Sequence, residues 1–434
     1  MEKKSKEKIF TNYQVFVIAI LTFLQFTIIL DFMVLSPLGV QLLEELHITT
    51  AQFGWVVSAY AFSAGASGLL AAGFADKFDR KKLLMFFYAG FIIGTLLCGI
   101  VKTYELLLAA RIVTGIFGGV IGSIIFAIIT DLFKMEVRGR VMGFVQMAFA
   151  ASQILGLPLG LYLANLWGWH SPFLLIVGIS IAVGIAIVVY LKPIDAHLLI
   201  QKKQNAFQHL IKIFTKSDYL KAFAATTLLA TGGFMLMPFG STFSINNLGI
   251  TMEQLPVVYL ITGLFAMVTG PLVGRFSDKI GKYTMFIIGS SLAAVMVVIY
   301  CNLGVTPLWL VIAINVVMFA GITGRIVSAS ALMTAIPEPH ERGAFMGVNS
   351  SVQQIAGGVA AAIAGMIVIQ TDSGKLERYD MLGYVVVGAI FVTIIMMYSI
   401  NAYVLKKLAH QSAEEKIVAA AVEAQLREDI VPEV

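Results

Sequence analysis

Residues 73–82 read Gly-Phe-Ala-Asp-Lys-Phe-Asp-Arg-Lys-Lys, and residues 274–282 read Gly-Arg-Phe-Ser-Asp-Lys-Ile-Gly-Lys. Phe74 and Asp76 return as Phe276 and Asp278, a shift of 202, and each turn lies between long apolar runs. Glycine allows a tight reversal, while an acid there can cap a helix or pair with a neighbouring base. The same shift continues outward. Phe32, Met33, Leu46, Ile48, Thr49 and Gln52 return as Phe234, Met235, Leu248, Ile250, Thr251 and Gln254. Leu106, Arg138, Gly139, Met142 and Gly143 return 204 residues later as Leu310, Arg342, Gly343, Met346 and Gly347. An ordered series that includes charged turn residues points to an internal repeat rather than to shared composition.

The 434-residue chain is 59% hydrophobic and 13% charged, against about 45–50% and about 25% for soluble globular domains. Soluble domains are excluded, and the apolar runs read as bilayer spans of roughly 20 residues each. Twelve are expected, near 13–41, 51–75, 83–101, 105–130, 140–165, 171–191, 221–245, 255–276, 283–303, 308–333, 343–370 and 381–405. The fold expected is an all-α membrane protein of twelve transmembrane helices arranged as two six-helix pseudo-repeats. Residues 1–12 form an N-tail, 13–191 the first bundle, 192–220 a linker, 221–405 the second bundle and 406–434 a C-tail. The first run is too long for a signal-peptide core and lacks a small-x-small cleavage site, so it is a retained span.

Of the 30 Lys and Arg residues, 25 fall on one face, while Lys102, Lys375 and Arg378 take the other and Arg111 and Arg325 lie inside spans. That bias puts both termini in the cytoplasm. In the linker, Phe207, Leu210, Ile211 and Phe214 recur at helical spacing among lysines, which predicts an amphipathic helix on the membrane surface. The residues after Lys407 read as a solvated helix. Cys98 and Cys301 lie in apolar runs, with neither disulfide nor metal spacing. Two parallel repeats joined by a central loop suit a transporter whose halves rock about a midplane site.

Asp31 is the one acidic residue deep within a span. A carboxylate there costs about 2.5–3.5 kcal/mol on insertion scales, so it needs a partner, water or a function. Counted from the outer ends of their spans, Asp31 and Arg111 lie at depths within roughly 8 Å of each other and can meet across a cavity. The pair serves either as a proton relay, with the proton at the carboxylate because arginine stays charged, or as a fixed ion pair that locks two helices. Arg325 either contacts an anionic group or snorkels to lipid headgroups. The remaining candidate cavity carries scattered amides, namely Gln146, Gln153, Asn315, Asn349 and Gln353, with apolar walls from Tyr60, Met235, Phe239 and Phe319. Asn315 stands where the repeat places Arg111. Each of these is a ligand contact or interhelical glue. Gly73, Asp76, Arg80, Gly274, Asp278, Gly281 and Lys282 make up the two repeated turns, expected to act as a gate whose contacts break and reform.

These turns resemble the loop motif G-x-x-x-D-[RK]-x-G-[RK] of the major facilitator superfamily, with Asp79 in place of the second glycine in the first turn. Leu106-Leu-Leu-Ala-Ala-Arg111-Ile-Val-Thr-Gly115 resembles that family's fourth-helix pattern, whose arginine is tied to proton transfer. The resemblance spans about residues 13–405. Asp31, the stretch LHITTAQFGWVVSAYA and Arg111 resemble the drug and sugar efflux antiporters within it, while Gly156-Leu-Pro158-Leu-Gly160 only loosely matches the antiporter helix-five motif.

The expected activity is therefore export of a small organic or amphiphilic molecule in exchange for protons, by alternating access in a multi-pass bacterial inner-membrane protein. The alternatives are transport of an organic anion or lipid-like molecule anchored by Arg111 and Arg325, and uncoupled facilitation. An enzyme is not expected, because there is no span-buried histidine, no H-E-x-x-H or G-x-S-x-G and no phosphate-binding glycine loop. The partners expected are the small-molecule substrate, protons and the lipid bilayer. The chain is expected to be a monomer, with no cofactor, metal or nucleic acid.

Overall fold

The computed structural model describes residues 10–71, 77–195, 198, 213–338 and 341–428. Among them, twelve helices are long and apolar enough to cross a membrane: α1 (Asn12–Val34), α2 (Thr50–Ala71), α3 (Arg80–Cys98), α4 (Tyr104–Leu132), α5 (Arg140–Trp167), α6 (Ser171–Tyr190), α7 (Ser217–Asn246), α8 (Leu255–Ile280), α9 (Lys282–Cys301), α10 (Leu308–Ala335), α11 (Ala344–Ile367) and α12 (Tyr379–Lys407). Side-chain caps fix several starts. Thr11 and Gln14 form a reciprocal capping box at α1, Asp79 accepts from the Lys82 amide at α3, and Thr103 accepts from the Leu106 amide at α4. Each satisfies an amide that the first helical turn leaves without a partner. Between α8 and α9 the chain reverses at Gly281, whose φ of +94° suits only glycine well.

Proline sets the main departures from the expected spans. α1 stops at Val34 rather than running to residue 41, and beyond Pro37 the chain enters a short helix, Gly39–Glu45. α7 contains a 3-10 turn at Met237–Phe239 around Pro238, and α5 contains a π turn at Ser152–Gly156 just ahead of Pro158. Proline has no amide for the helical ladder, and the local winding adjusts around it. The final helix runs unbroken from Tyr379 to Glu428, so the helix expected after Lys407 continues α12. Of the expected amphipathic linker segment, Phe207, Leu210 and Ile211 lie outside the described residues, while Phe214 packs against Phe223 at 5.7 Å between ring centres.

With twelve crossings both termini share one face, here the terminal face; the opposite one is the far face. A short hairpin of β1 (Ile369–Gln370) and β2 (Leu376–Glu377) links α11 to α12 at the far face. Three apolar clusters show how the halves meet. The far-face cluster draws on both halves, with Val34, Leu38, Phe53 and Val57 against Phe239, Phe243, Val258 and Ala361. The other two are separate: Leu21, Leu84, Ile125 and Val145 belong to a cluster whose residues all come from α1–α6 and their flanks. Phe223, Phe286, Leu332 and Met397 belong to one whose buried residues all come from the second half. The halves thus fuse at the far face; toward the terminal face Leu69 of α2 still packs on the second-half cluster, and the halves part elsewhere.

Hydrogen bonds reinforce the far-face closure. Ser36 donates to the Met237 carbonyl, Ser241 to the Ser36 carbonyl at 2.9 Å, Thr50 to the Val368 carbonyl at 2.6 Å and Asn165 to the Met252 carbonyl at 2.8 Å. α2 and α11 stay together deeper into the membrane: a side chain at Gly54 would meet the Gly365 Cα at 3.1 Å, and one at Gly65 the Ser351 carbonyl at 3.0 Å. α8 departs from α5 instead. Gly263 still packs on Gln153, but side chains at Gly270 and Gly274 would meet nothing within 4 Å.

Candidate functional site

Asp31 and Arg111 come together inside the first bundle. Arg111 Nη1 donates to Asp31 Oδ2 at 2.9 Å, and Thr95 Oγ1 donates to Asp31 Oδ1 at 3.1 Å. Both charged residues are 0% exposed. The Arg111 guanidinium also lies 4.5 Å from the centre of the Tyr60 ring, a cation–π contact. Four helices contribute: α1 the acid, α3 the hydroxyl, α4 the base and α2 the ring. Small residues make the approach possible. A side chain at Gly115 would come within 2.5 Å of the Tyr60 carbonyl, and one at Gly94 within 2.8 Å of the Thr114 Cα, so α4 packs backbone to backbone on α2 and α3. α5 closes over α1 in the same way, with Gly156 against Leu30 and Ser152 donating to the Phe26 carbonyl at 3.2 Å.

The aromatic wall continues from the pair into the second half. Tyr60 lies 5.4 Å from Phe32, and Phe32 lies 5.7 Å from Phe234 of α7. Phe234 fits where α11 has Gly357, at which any side chain would meet the ring at 2.6 Å. The charged pair is therefore linked to the other half through three rings in sequence.

Other expected cavity residues are dispersed. Tyr60, Met235 and Phe239 are buried rather than lining an open wall, with Phe239 packed edge-on against Phe53 in the far-face closure. Phe319 is half-buried against the same cluster. Asn315 is buried and donates to the Val311 carbonyl of its own helix at 2.9 Å. Asn349 accepts from Thr226 at 2.6 Å, tying α11 to α7. Gln153 is half-buried where α5 meets α8, while Gln146, two turns closer to the terminal face, is exposed, as is Gln353. Arg325 does not snorkel: it is 4% exposed, so the lipid-headgroup alternative is set aside.

The repeated turns are only partly described, because Gly73 and Asp76 lie outside the described residues. Arg80 donates through Nε to Asp131 at 3.0 Å, which joins the start of α3 to the end of α4 within the first half. Asp278 pairs with Lys282 at 2.9 Å across the Gly281 reversal, again within one half. These contacts brace each bundle; neither one crosses between the halves in this state. Among the described residues no group of three His, Cys, Asp or Glu is placed to hold a metal ion.

The family model described as Major Facilitator Superfamily matches residues 21–362. The chain belongs to the major facilitator superfamily. This major facilitator protein is 29% identical over 353 residues to the uncharacterized MFS-type transporter YceJ of Bacillus subtilis (strain 168), covering 80% of this chain and 88% of that one. It is 22% identical over 359 residues to a bicyclomycin resistance protein homolog of Haemophilus influenzae, covering 78% and 86%. A solved bacterial homolog of the human lysosomal transporter Spinster, in an inward-facing and unoccupied conformation, overlays with a TM-score of 0.68 at 15% identity, covering 91% of this chain and 97% of that one. The protein is thus a multi-pass membrane transporter of small molecules and not an enzyme.

Sequence reasoning missed Thr95, the inter-half hydroxyls Ser36, Thr50 and Ser241, and the ring pair Phe32 and Phe234 as a bridge. Phe32 and Phe234 did carry a signal, since they are equivalent positions of the repeat. The hydroxyls carry none, because small polar residues are scattered through most of these spans.

Proposed function

We propose that the protein exports a small organic or amphiphilic molecule in exchange for protons. Both termini face the cytoplasm in this reading, from the distribution of Lys and Arg, and the structure is then the inward-facing state of a monomer in the cell membrane. The single observation that carries the coupling is the isolated Asp31–Arg111 pair, 2.9 Å apart and sealed from solvent on both sides. Arginine keeps its charge, so the exchangeable proton belongs to Asp31. With Asp31 ionised, the pair holds α1 against α4. A proton on Asp31 removes the charge attraction, frees the guanidinium to shift against Tyr60, and loosens Phe32 against Phe234 at the junction of the halves. Substrate drives transport by favouring one of these arrangements, since a ligand shifts an equilibrium only by its differential affinity. The bicyclomycin resistance homolog among the relatives supports export of a foreign organic molecule.

The test uses purified protein in liposomes loaded with a pH-sensitive dye, with sugars, nucleosides, lipophilic cations and organic anions added in turn. Substrate-dependent proton flux in the wild type and its loss in Asp31→Asn is the expected result. Substrate movement with no proton flux overturns the coupling and leaves a facilitator. The second reading, an organic-anion carrier, loses one of its two anchors because Arg111 is already neutralised by Asp31.

A further inference from the structure

Arg325 is the second buried arginine, and its surroundings differ from those of Arg111. Among the described residues it makes no hydrogen bond or ion pair, and Nε and Nη2 are both buried without a partner. The acids that the structure describes within residues 213–405, Asp218, Glu253, Asp278, Glu338, Glu341, Asp372, Glu377 and Asp380, all stand at helix ends or in loops. Arginine does not shed its proton to escape such a site, and a buried charge is tolerated only when paired. The missing partner is a negative group.

The site is built around that gap. α10 presses its Gly321 and Gly324 against Gly289 of α9, and the Arg325 side chain crosses to α7, where Nη1 lies 2.8 Å from the position a side chain at Gly232 would take. Val386 of α12 closes one side. Two more hydroxyls are buried without partners on the same pair of helices: Ser328, one turn along α10, and Ser290, next to Gly289. The repeat gives α7 no acid to offer the guanidinium. The shift of 202 that relates the halves carries Asp31 to Gly233, so the first half places a carboxylate on the helix where the second places a Gly232–Gly233 pair. Gly233 is exposed, and a side chain there would meet nothing within 4 Å. At this level α7 is a bare backbone between Arg325 and open space.

We propose that Arg325 is the core of an anion-binding site in the second half, in which a small monoanionic group, either a halide or the carboxylate of an organic molecule, neutralises the guanidinium beside Gly232. The guanidinium supplies the charge and a planar fork of donors. Gly232 lets the guanidinium lie against the α7 backbone, Gly233 leaves the space beyond it open, and a displacement of α7 at its Pro238 break admits the ion. This inference does not rest on proton coupling at Asp31, and its test uses no proton flux.

The test is the melting temperature of the purified full chain in detergent, as chloride, acetate or benzoate replaces a bulky sulfonate at constant ionic strength. A saturable rise of about 5 °C at a hundredfold excess over Kd is expected for at least one of these anions. A response to chloride alone identifies an inorganic ion, and a stronger response to acetate or benzoate identifies a carboxylate-bearing ligand; both support the site. Arg325→Gln should abolish the response and raise the anion-free melting temperature, whereas a merely structural arginine would lower it on removal. Gly232→Asp supplies the countercharge within the chain and should remove the response while Arg325 is retained, which decides the matter should the first variant fail to fold. No saturable anion dependence in the wild type, or an unchanged response in either variant that folds, overturns the proposal.

Discussion

Replacing Asp31 with Asn removes one charge from a pair whose two members are fully buried. The amide keeps the carboxyl shape and the variant imitates the protonated acid, with its one oxygen toward Arg111 and its NH2 group donating to the Thr95 hydroxyl, which accepts instead of donating. Removing one partner of a buried ion pair costs about 3–5 kcal/mol, because the other charge is left uncompensated. The Tyr60 ring stays beside the guanidinium as it shifts, so this contact changes the difference little. One hydrogen bond from Arg111 to the amide oxygen returns about 1 kcal/mol, which leaves a net loss of about 2–4 kcal/mol. For a bundle of this size that lowers the melting temperature by roughly 5–10 °C. Cys98 and Cys301 are both free and buried, so a thiol-reactive dye reads the transition directly. Arg111→Gln should fall by a comparable amount, and the Asp31→Asn, Arg111→Gln double variant should regain most of the loss, since no unpaired charge remains. A single variant as stable as wild type, or a double variant as unstable as the sum of the singles, would refute the claim that the two charges depend on each other.

Tyr60→Phe keeps the ring under Arg111 and should be neutral, whereas Tyr60→Leu should cost about 0.5–2 kcal/mol, measured in the same melt. Gly119→Val places bulk where even a Cβ would lie 2.3 Å from the Ala64 carbonyl, and should cost at least about 1–3 kcal/mol through forced separation of α2 and α4, seen as a fall in folded yield on size-exclusion chromatography. Arg80→Ala removes the charged bond to Asp131 and should cost about 1.5–3 kcal/mol; Arg80→Lys should recover only part, because the fixed guanidinium geometry is lost. A cysteine pair at Thr50 and Val368, linked under oxidising conditions, should hold the far face shut and stop transport in liposomes, with recovery on reduction.

Much of the fold was legible because hydrophobicity in a bilayer is a local property. A run such as Ser171–Tyr190 has to be helical wherever it is placed, since lipid offers no partner to an open backbone. The breaks were less legible. Pro37 was visible, yet that α1 would end before it and restart as Gly39–Glu45 depended on the far-face packing of Ser36 and Leu38 with the second half. In the site, Asp31 and Arg111 were conspicuous because ionised side chains are rare at that depth. The amides drew notice for the same reason, but Asn315 and Asn349 turned out to be satisfied by Val311 and Thr226. A polar residue in a span announces a need for a partner without naming which partner meets it.

Sequence alone determined the twelve spans, the two-fold repeat and the two arginines held inside the membrane, because each is written in composition, spacing or charge. Only the tertiary structure decided that Arg111 is neutralised at 2.9 Å while Arg325 has no partner among the described residues. It also decided that the halves are joined at the far face and part toward the other where α8 leaves α5. Both outcomes depend on which helix faces lie against one another. That is set by the close approach of small residues such as Gly115 to Tyr60 and Gly54 to Gly365, contacts between positions far apart in the chain that no local pattern encodes.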